Sequence, residues 1–371
     1  MFKIKILDRY IFSQVFAATI VCILLFSIIW IAPEILLRTV QRVLDGTYTP
    51  QMGVYRILYE IPKILGNALP VGVFLGTLFT FDKLSKDSEI SILRACGGSF
   101  YRIIASALVL GVMVAGLSFF VRDRMIPFAT TKFDIDSKFE VSTHFVFPVK
   151  NDMNKIQKVI IVPKFSNYKI RSVVVLNFSQ TEQGKGSSVL DKIQMADFVK
   201  FDENNSSWKI NNATVYKITP DGVYSKVDKE NNLEILSGER GKNAYNLMKY
   251  SLKRDRDFTN EELKNYVKLL KQESMDDEYR FMFNKYLERF SQSIISVLFV
   301  IFGALLGFAK PRDQRLIGFT AAVLTVFLYY ITMPFLNMLA EKGILSPYIT
   351  AFIAPVILLF VIHSVKKHKD L

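Results

Sequence analysis

"DKLSKDSEISILRACGGSF", Asp82 to Phe100, is a short charged stretch set between two strongly apolar runs of a 371-residue chain. It carries Lys83, Lys86, Glu89 and Arg94 and contains a glycine pair near its end. A plain connecting loop needs no such organisation. With Asp87 as N-cap, Ser88 to Cys96 forms a short helix and Gly97 supplies a left-handed stop. Glu89 then lies in the first turn, where the helix dipole favours negative charge. Ile90 and Leu93 stack on one side, with Ile92 and Cys96 nearby, and Arg94 lies too far round from Glu89 for an internal pair. Two readings fit: a docking helix with an exposed carboxylate that has no local partner, beside an apolar stripe, or a solvated helix at an interface.

The runs on either side set the context. Half of the residues are hydrophobic, 31 are Phe, and mean hydropathy is positive although 22% of residues are charged. Charged and apolar residues are therefore segregated along the chain. A membrane-spanning helix needs roughly 20 mostly apolar residues. Six segments qualify, at about 11–37, 61–81, 103–121, 290–309, 316–339 and 348–364. The second contains Pro62, Lys63, Asn67 and Pro70, and proline is tolerated where neighbouring groups satisfy the freed carbonyls. The first run is too long for a signal peptide and lacks a small-residue cleavage site, so it is expected to be retained.

Basic residues set the expected orientation. Lys3, Lys5 and Arg9 precede the first span, Lys83, Lys86, Arg94 and Arg102 follow the second, Lys310, Arg312 and Arg315 follow the fourth, and Lys366, Lys367 and Lys369 follow the sixth. The opposite side has Arg38, Arg42, Arg56 and Lys63 in one loop and Lys342 in the other. This bias predicts both termini and the opening stretch on the cytoplasmic side and the large middle domain outside. Residues 122–280 hold 27 Lys and Arg against 23 Asp and Glu, so most of the net charge of +13 lies elsewhere. Anchoring against anionic lipid explains that charge without nucleic acid. Cys22 and Cys96, the only cysteines, fall in a span and in the charged stretch and cannot form a disulfide framework for the outer domain.

From Lys158 the period changes. "KVIIVPKF", "RSVVVLNF", "DKIQMADFVKF", "WKINNATVYKI" and "GVYSKV" are strand-like runs separated by turn chemistry such as "DENNSS" and "TPDG". They predict a β-sandwich, jelly roll or open barrel. Simple alternation in "WKINNATVYKI" puts Trp208, Ile210, Asn212, Thr214 and Tyr216 on one face. Thr259 with Glu262 then makes a capping box, and Leu263, Val267 and Leu270 follow on one face of a return helix.

Catalytic motifs are lacking. His144, His363 and His368 have no metal-ligand spacing, and there is no HExxH or CxxC. Gly184-Lys185 and Gly241-Lys242 lack the rest of a phosphate loop. Work on a substrate would need energy from a partner.

"LDRYIFSQVF" at 7–16, "VLDGTY" at 43–48, "IPKILGNALPVGVFLGTLFTFDKLSKDSEISILRACGGS" at 61–99, "IP" at 126–127 and "FTNEELKNYVKLL" before the fourth span resemble the LptF/LptG family of lipopolysaccharide-export permeases. These are the membrane subunits of an ABC-type transporter. The resemblance runs over essentially the whole chain. It implies a six-helix α-helical membrane protein with an inserted periplasmic all-β jelly-roll-like domain. Residues 1–121 would hold spans one to three with a coupling helix near 84–97, 122–280 the β domain and return helix, and 281–371 the last three spans.

The resemblance further implies that the chain is a transport subunit of the bacterial inner membrane and not an enzyme. It would carry no cofactor, ATP and magnesium belonging to a separate cytoplasmic ABC ATPase dimer. Ser88, Glu89 and Gly97 match the coupling-helix motif. Glu89 would meet a basic residue of the ATPase, Ile90 and Leu93 would fill its groove, and Arg94 lies on the same helix. Further implied partners are a second permease of the family (or a second copy of this chain), meeting it at spans one and five, periplasmic jelly-roll bridge proteins, lipopolysaccharide and membrane lipid. Basic residues near the outer end of span one hold the phosphorylated head of the glycolipid in the family. Arg38 and Arg42 share a helix face there, and guanidinium suits bidentate phosphate capture. Arg122 and Arg124 are further candidates. Snorkelling to lipid headgroups fits each arginine singly, and Glu34 is placed to pair with Arg38. A lipoprotein-releasing or efflux permease, usually of four spans, and a membrane-anchored sensor or scaffold are the competing readings.

Overall fold

The computed structural model describes residues 6–31, 35–136, 142–151, 155–166, 169–180, 188–197, 199–202, 206–210, 212–219, 224–230, 233–308 and 316–369. Lys3, Lys5, Glu34, Gly184-Lys185, Lys310, Arg312 and Arg315 lie outside them. Two compact units result: one of residues 1–137 and 280–371, the other of 138–279.

Among the described residues, six helices are long and apolar enough to cross a membrane. The first unit has α1 (Ile6–Ile31), α2 (Leu37–Leu44), α3 (Pro50–Lys86), α4 (Glu89–Ala95), α5 (Phe100–Phe120) and α6 (Ile126–Asp136). A π-helical turn, Val121–Met125, carries α5 into α6. The second unit has α7 (Gly238–Ser251) and α8 (Asn260–Gln272), and the chain ends with α9 (Asp276–Gly307), α10 (Leu316–Glu341) and α11 (Pro347–His368). The spans run past most of the sequence limits because polar turns of helix extend beyond the apolar stretch, most of all in α3 and α9.

α3 is the hub, and small residues let its neighbours approach. A Cβ at Gly76 would lie 2.6 Å from backbone atoms of Thr19 on α1, and one at Gly303 of α9 would lie 2.6 Å from the Phe74 carbonyl. The space left by Gly303 is bordered by rings: Phe74 stacks on Phe299 and Phe302, with centroids at 4.8 and 5.7 Å. At the far end of the bundle from α4, polar side chains join α9, α10 and α11. The amide of Asn284 donates to Asn337 Oδ1 at 2.7 Å, and the Thr350 hydroxyl donates to Asn284 Oδ1 at 2.7 Å.

The second unit contains a ten-stranded antiparallel sheet. Its strands are β1 (Ser142–Lys150), β2 (Ile156–Ser166), β3 (Lys169–Ile170), β4 (Val173–Gln180), β5 (Ser188–Ala196), β6 (Val199–Asp202), β7 (Ser207–Ile210), β8 (Ala213–Ile218), β9 (Tyr224–Glu230) and β10 (Leu233–Leu236). The pairing is a simple meander of long strands, most of them broken once. Ile170 faces Val199 and Val173 faces Ala196, so β3–β4 and β5–β6 run side by side without a change of register. Likewise Ile210 faces Leu233 and Ala213 faces Glu230, which aligns β7–β8 with β9–β10. The breaks therefore line up across the sheet.

Each break shifts the alternation by one residue. Ile170, Val173 and Val175 are buried, as are Val199 with Ala196, and Trp208 and Ile210 with Ala213 and Val215. The two halves of each broken strand thus send side chains to the same inner side, as a sheet does when it bends over its own core. This corrects the uniform alternation expected of "WKINNATVYKI": Asn212 has φ +59, and behind it Ala213 and Val215 take the inner face in place of Thr214 and Tyr216. α7 was not legible as a helix in the strand-rich text. It is held by Trp208 Nε1, which donates to the Gly241 carbonyl at 2.9 Å. α8 begins with the predicted capping box and buries Leu263, Tyr266, Val267 and Leu270.

Candidate functional site

The opening stretch builds one end of the helical bundle. α3 stops at Asp87, whose amide donates to the Lys83 carbonyl, so Asp87 closes the preceding helix instead of capping the next. Ser88 precedes α4 with φ +64 and gives no side-chain cap. Gly97, at φ +84, ends α4, and the Gly98 amide donates to the Leu93 carbonyl at 3.0 Å. α4 is therefore a short rigid piece between two left-handed joints.

Its contacts differ from face to face. Ile90 is buried in this chain's own core and Leu93 packs against it. Ile92 is 61% exposed, and Arg94 and Cys96 are exposed with it. Glu89 finds its partner off its own helix: the Tyr10 hydroxyl of α1 donates to its Oε1 at 2.9 Å. Nearby, Arg102 on the first turn of α5 donates to both carboxylate oxygens of Asp8 on α1, at 2.6 and 2.9 Å. The partners are 79 and 94 residues apart, which is why spacing along the sequence gave no sign of them.

Other ends meet here too. The Ser85 hydroxyl donates to the Gly307 carbonyl, tying α3 to the end of α9. Lys369 Nζ donates to the Leu305 and Phe308 carbonyls at 2.8 and 2.7 Å, a cation on the negative end of the α9 dipole. Lys366 Nζ reaches the Tyr101 hydroxyl at 2.7 Å and lies over that ring.

The four arginines named above are placed differently from one another. Arg38 is exposed on α2. Arg42 donates to the Tyr48 hydroxyl at 2.7 Å, with its guanidinium 5.3 Å from the ring centroid, across the turn that Gly46 makes at φ +72. Arg124 is exposed beside Asp123, at 3.4 Å. Arg122 turns inward. Its Nη2 donates to the Gly66 carbonyl at 2.8 Å and to Asn67 Oδ1 at 3.2 Å, while the Tyr330 hydroxyl of α10 donates to the Asn67 carbonyl at 2.9 Å. Pro70 explains the arrangement, because proline has no N–H for the carbonyl one turn earlier. Arg122 supplies the donor that α3 lacks at Gly66, and Tyr330 adds one at the neighbouring carbonyl of Asn67. Arg122 Nε is buried without a hydrogen-bond partner.

Near Arg42, Glu60 is buried between Arg56, with which it forms an ion pair, and Lys63 at 3.6 Å, and Arg56 lies over the ring of Phe133 on α6. From the sequence, Arg56 counted only as a loop charge and Lys63 as a loop charge that also interrupts the second span. The i,i+4 and i,i+3 spacing to Glu60 was the available signal. Among the described residues, no group of three or more His, Cys, Asp or Glu side chains is placed to hold a metal ion.

Comparison with known proteins accords with this architecture. A curated relative, the lipopolysaccharide export system permease protein LptF of Escherichia coli (strain K12), is 26% identical over 110 residues, 30% of each chain. The LptF proteins of Escherichia coli O157:H7 and of Shigella flexneri match with the same identity over the same length. These matches span about a third of the relatives' length. The model of the family described as lipopolysaccharide export system permease LptF/LptG matches residues 9–365, nearly the whole chain. This chain is a member of the LptF/LptG permease family.

Proposed function

We propose that this chain is one permease half of an ATP-driven exporter. It would take lipopolysaccharide from the inner membrane and pass it, through its β domain, to a periplasmic bridge. Both termini and α4 would lie in the cytoplasm, where a dimeric ABC ATPase supplies the energy, and a second permease of the family or a second copy would complete the pore. Family membership over 9–365 is the observation that carries this reading. The form of α4 supports it: a helix held to the bundle through Ile90 offers Ile92, Arg94 and the second oxygen of Glu89 to a partner.

Burial of Ile90 changes one detail of the expected docking. Ile90 and Leu93 anchor α4, so the groove of the ATPase would receive Ile92. At the other end, Arg38, Arg42 and Arg124 remain the groups to meet phosphate, Arg42 by leaving Tyr48, whereas Arg122 serves α3. Six spans disfavour the four-span lipoprotein-releasing type. A scaffold or sensor would leave α4 without a partner.

Purification in mild detergent, with masses of all bound chains and lipids, tests the proposal. It predicts an ATP-hydrolysing subunit and an acylated, phosphorylated glycolipid in the particle. A preparation with neither contradicts it.

A further inference from the structure

We infer that Asp8 and Tyr10 are positioning residues that fasten the α4 segment to α1, so that a displacement of α4 is delivered to α1. This rests on the function proposed above and adds the path of the force. The segment from Glu89 to Arg102 is pinned at both ends on one helix: Tyr10 holds Glu89 Oε1 at 2.9 Å, and Asp8 takes the fork of Arg102 at 2.6 and 2.9 Å.

Covalent connection alone would transmit little. α4 is joined to α3 through Ser88 at φ +64, which makes no side-chain cap, and to α5 through Gly97 at φ +84, with Ser99 capping the α5 side of that joint. α1 meets α3 along a seam of small contacts at Gly72 and Gly76, with Thr19 and Ile23 opposite. One long hydrogen bond crosses it, from Thr80 Oγ1 of α3 to the Gln14 carbonyl of α1 at 3.5 Å, so the seam is held more by close packing than by directional bonds. The contacts of Tyr10 with Glu89 and of Asp8 with Arg102 are charge-assisted as well as directional. Tyr10 leaves Glu89 Oε2 available, so the carboxylate can meet a cation on the ATPase while it stays fastened to α1. The paired oxygens of Asp8 match guanidinium, and an ammonium would make one contact where Arg102 makes two.

The test uses the whole complex, this chain with its ATPase and partner permease, in vesicles of phosphatidylethanolamine, phosphatidylglycerol and lipopolysaccharide. The reading is lipopolysaccharide released per ATP hydrolysed. Tyr10→Phe combined with Arg102→Lys is expected to lower that ratio by about tenfold, the scale of a lost charge-assisted hydrogen bond. The complex should still assemble and hydrolyse ATP. Exchanging the pair, Asp8→Arg with Arg102→Asp, should recover most of the ratio lost on Arg102→Asp alone. An unchanged ratio overturns the inference, as does a fall of release and hydrolysis in equal proportion, which a merely structural role would give. A wild-type complex that releases no lipopolysaccharide overturns the proposed function and this inference with it. Normal wild-type coupling with indifferent variants overturns the inference alone.

Discussion

Pro70 has no amide hydrogen, so the Gly66 carbonyl, one turn earlier, depends on a donor from outside α3. Arg122 provides one, and Tyr330 serves the adjacent carbonyl of Asn67. Removing a donor from a buried carbonyl costs about 1–3 kcal/mol. Arg122→Met should therefore destabilise the purified protein by that order, as measured by thermal unfolding in detergent. In a Pro70→Ala background, where the backbone N–H returns, the same substitution should cost clearly less. An equal cost in both backgrounds would mean that Arg122 acts elsewhere. A second residue-level case is Glu262. Partial burial works to raise its pKa, but the Lys253 ammonium at 2.6 Å and the Thr259 backbone and side-chain hydrogen bonds outweigh it and hold the carboxyl below its ordinary range. A depressed carboxylate pKa stabilises the fold fully above the unfolded value, about 4.3, and that contribution disappears as pH falls through the lower folded value. Protection factors of the amides in the first turn of α8, with the intrinsic pH dependence of exchange divided out, should fall across that acidic window, and Glu262→Gln should remove that fall.

At the scale of elements, close approach governs the helices. A Cβ at Gly303 would lie 2.6 Å from the Phe74 carbonyl of α3, whereas one at Gly116 would meet nothing within 4 Å. Gly303→Ala should destabilise by about 1–3 kcal/mol through overpacking, and Gly116→Ala should be neutral or slightly favourable. Comparison of their unfolding temperatures checks the seam. Periodicity and length made the six spans legible, because apolar runs of that size have few other uses. The phase of the sheet was not. Asn212 breaks the alternation with one left-handed residue, and Asn adopts that conformation without any mark in the hydrophobic pattern. α7 escaped for a related reason: it is polar over its first turns, and Ala244, Leu247 and Met248 gain meaning only from the core beneath them.

For the whole molecule, the candidate site was legible where it is local and hidden where it is not. Ser88, Glu89 and Gly97 occupy adjoining turns and could be read together, while the partners of Glu89 and Arg102 sit on α1, far away in the chain. Ile90 looked like a docking residue because an apolar stripe reads the same whether it meets a partner or its own core. The remaining geometry describes a bundle whose ends at α4 are tied together. Ser85 holds α9, Lys369 caps it, and Asp8 and Tyr10 hold α4 and α5 to α1. On this account, force applied to α4 is felt by α1, which α2 with Arg38 and Arg42 follows in the chain.

The most direct test is ATP-dependent lipopolysaccharide export by Glu89→Lys, measured beside membrane insertion. Charge reversal removes the acceptor for Tyr10 and repels the cation expected on the ATPase. The account predicts normal insertion with export abolished. Export at the wild-type rate would contradict it.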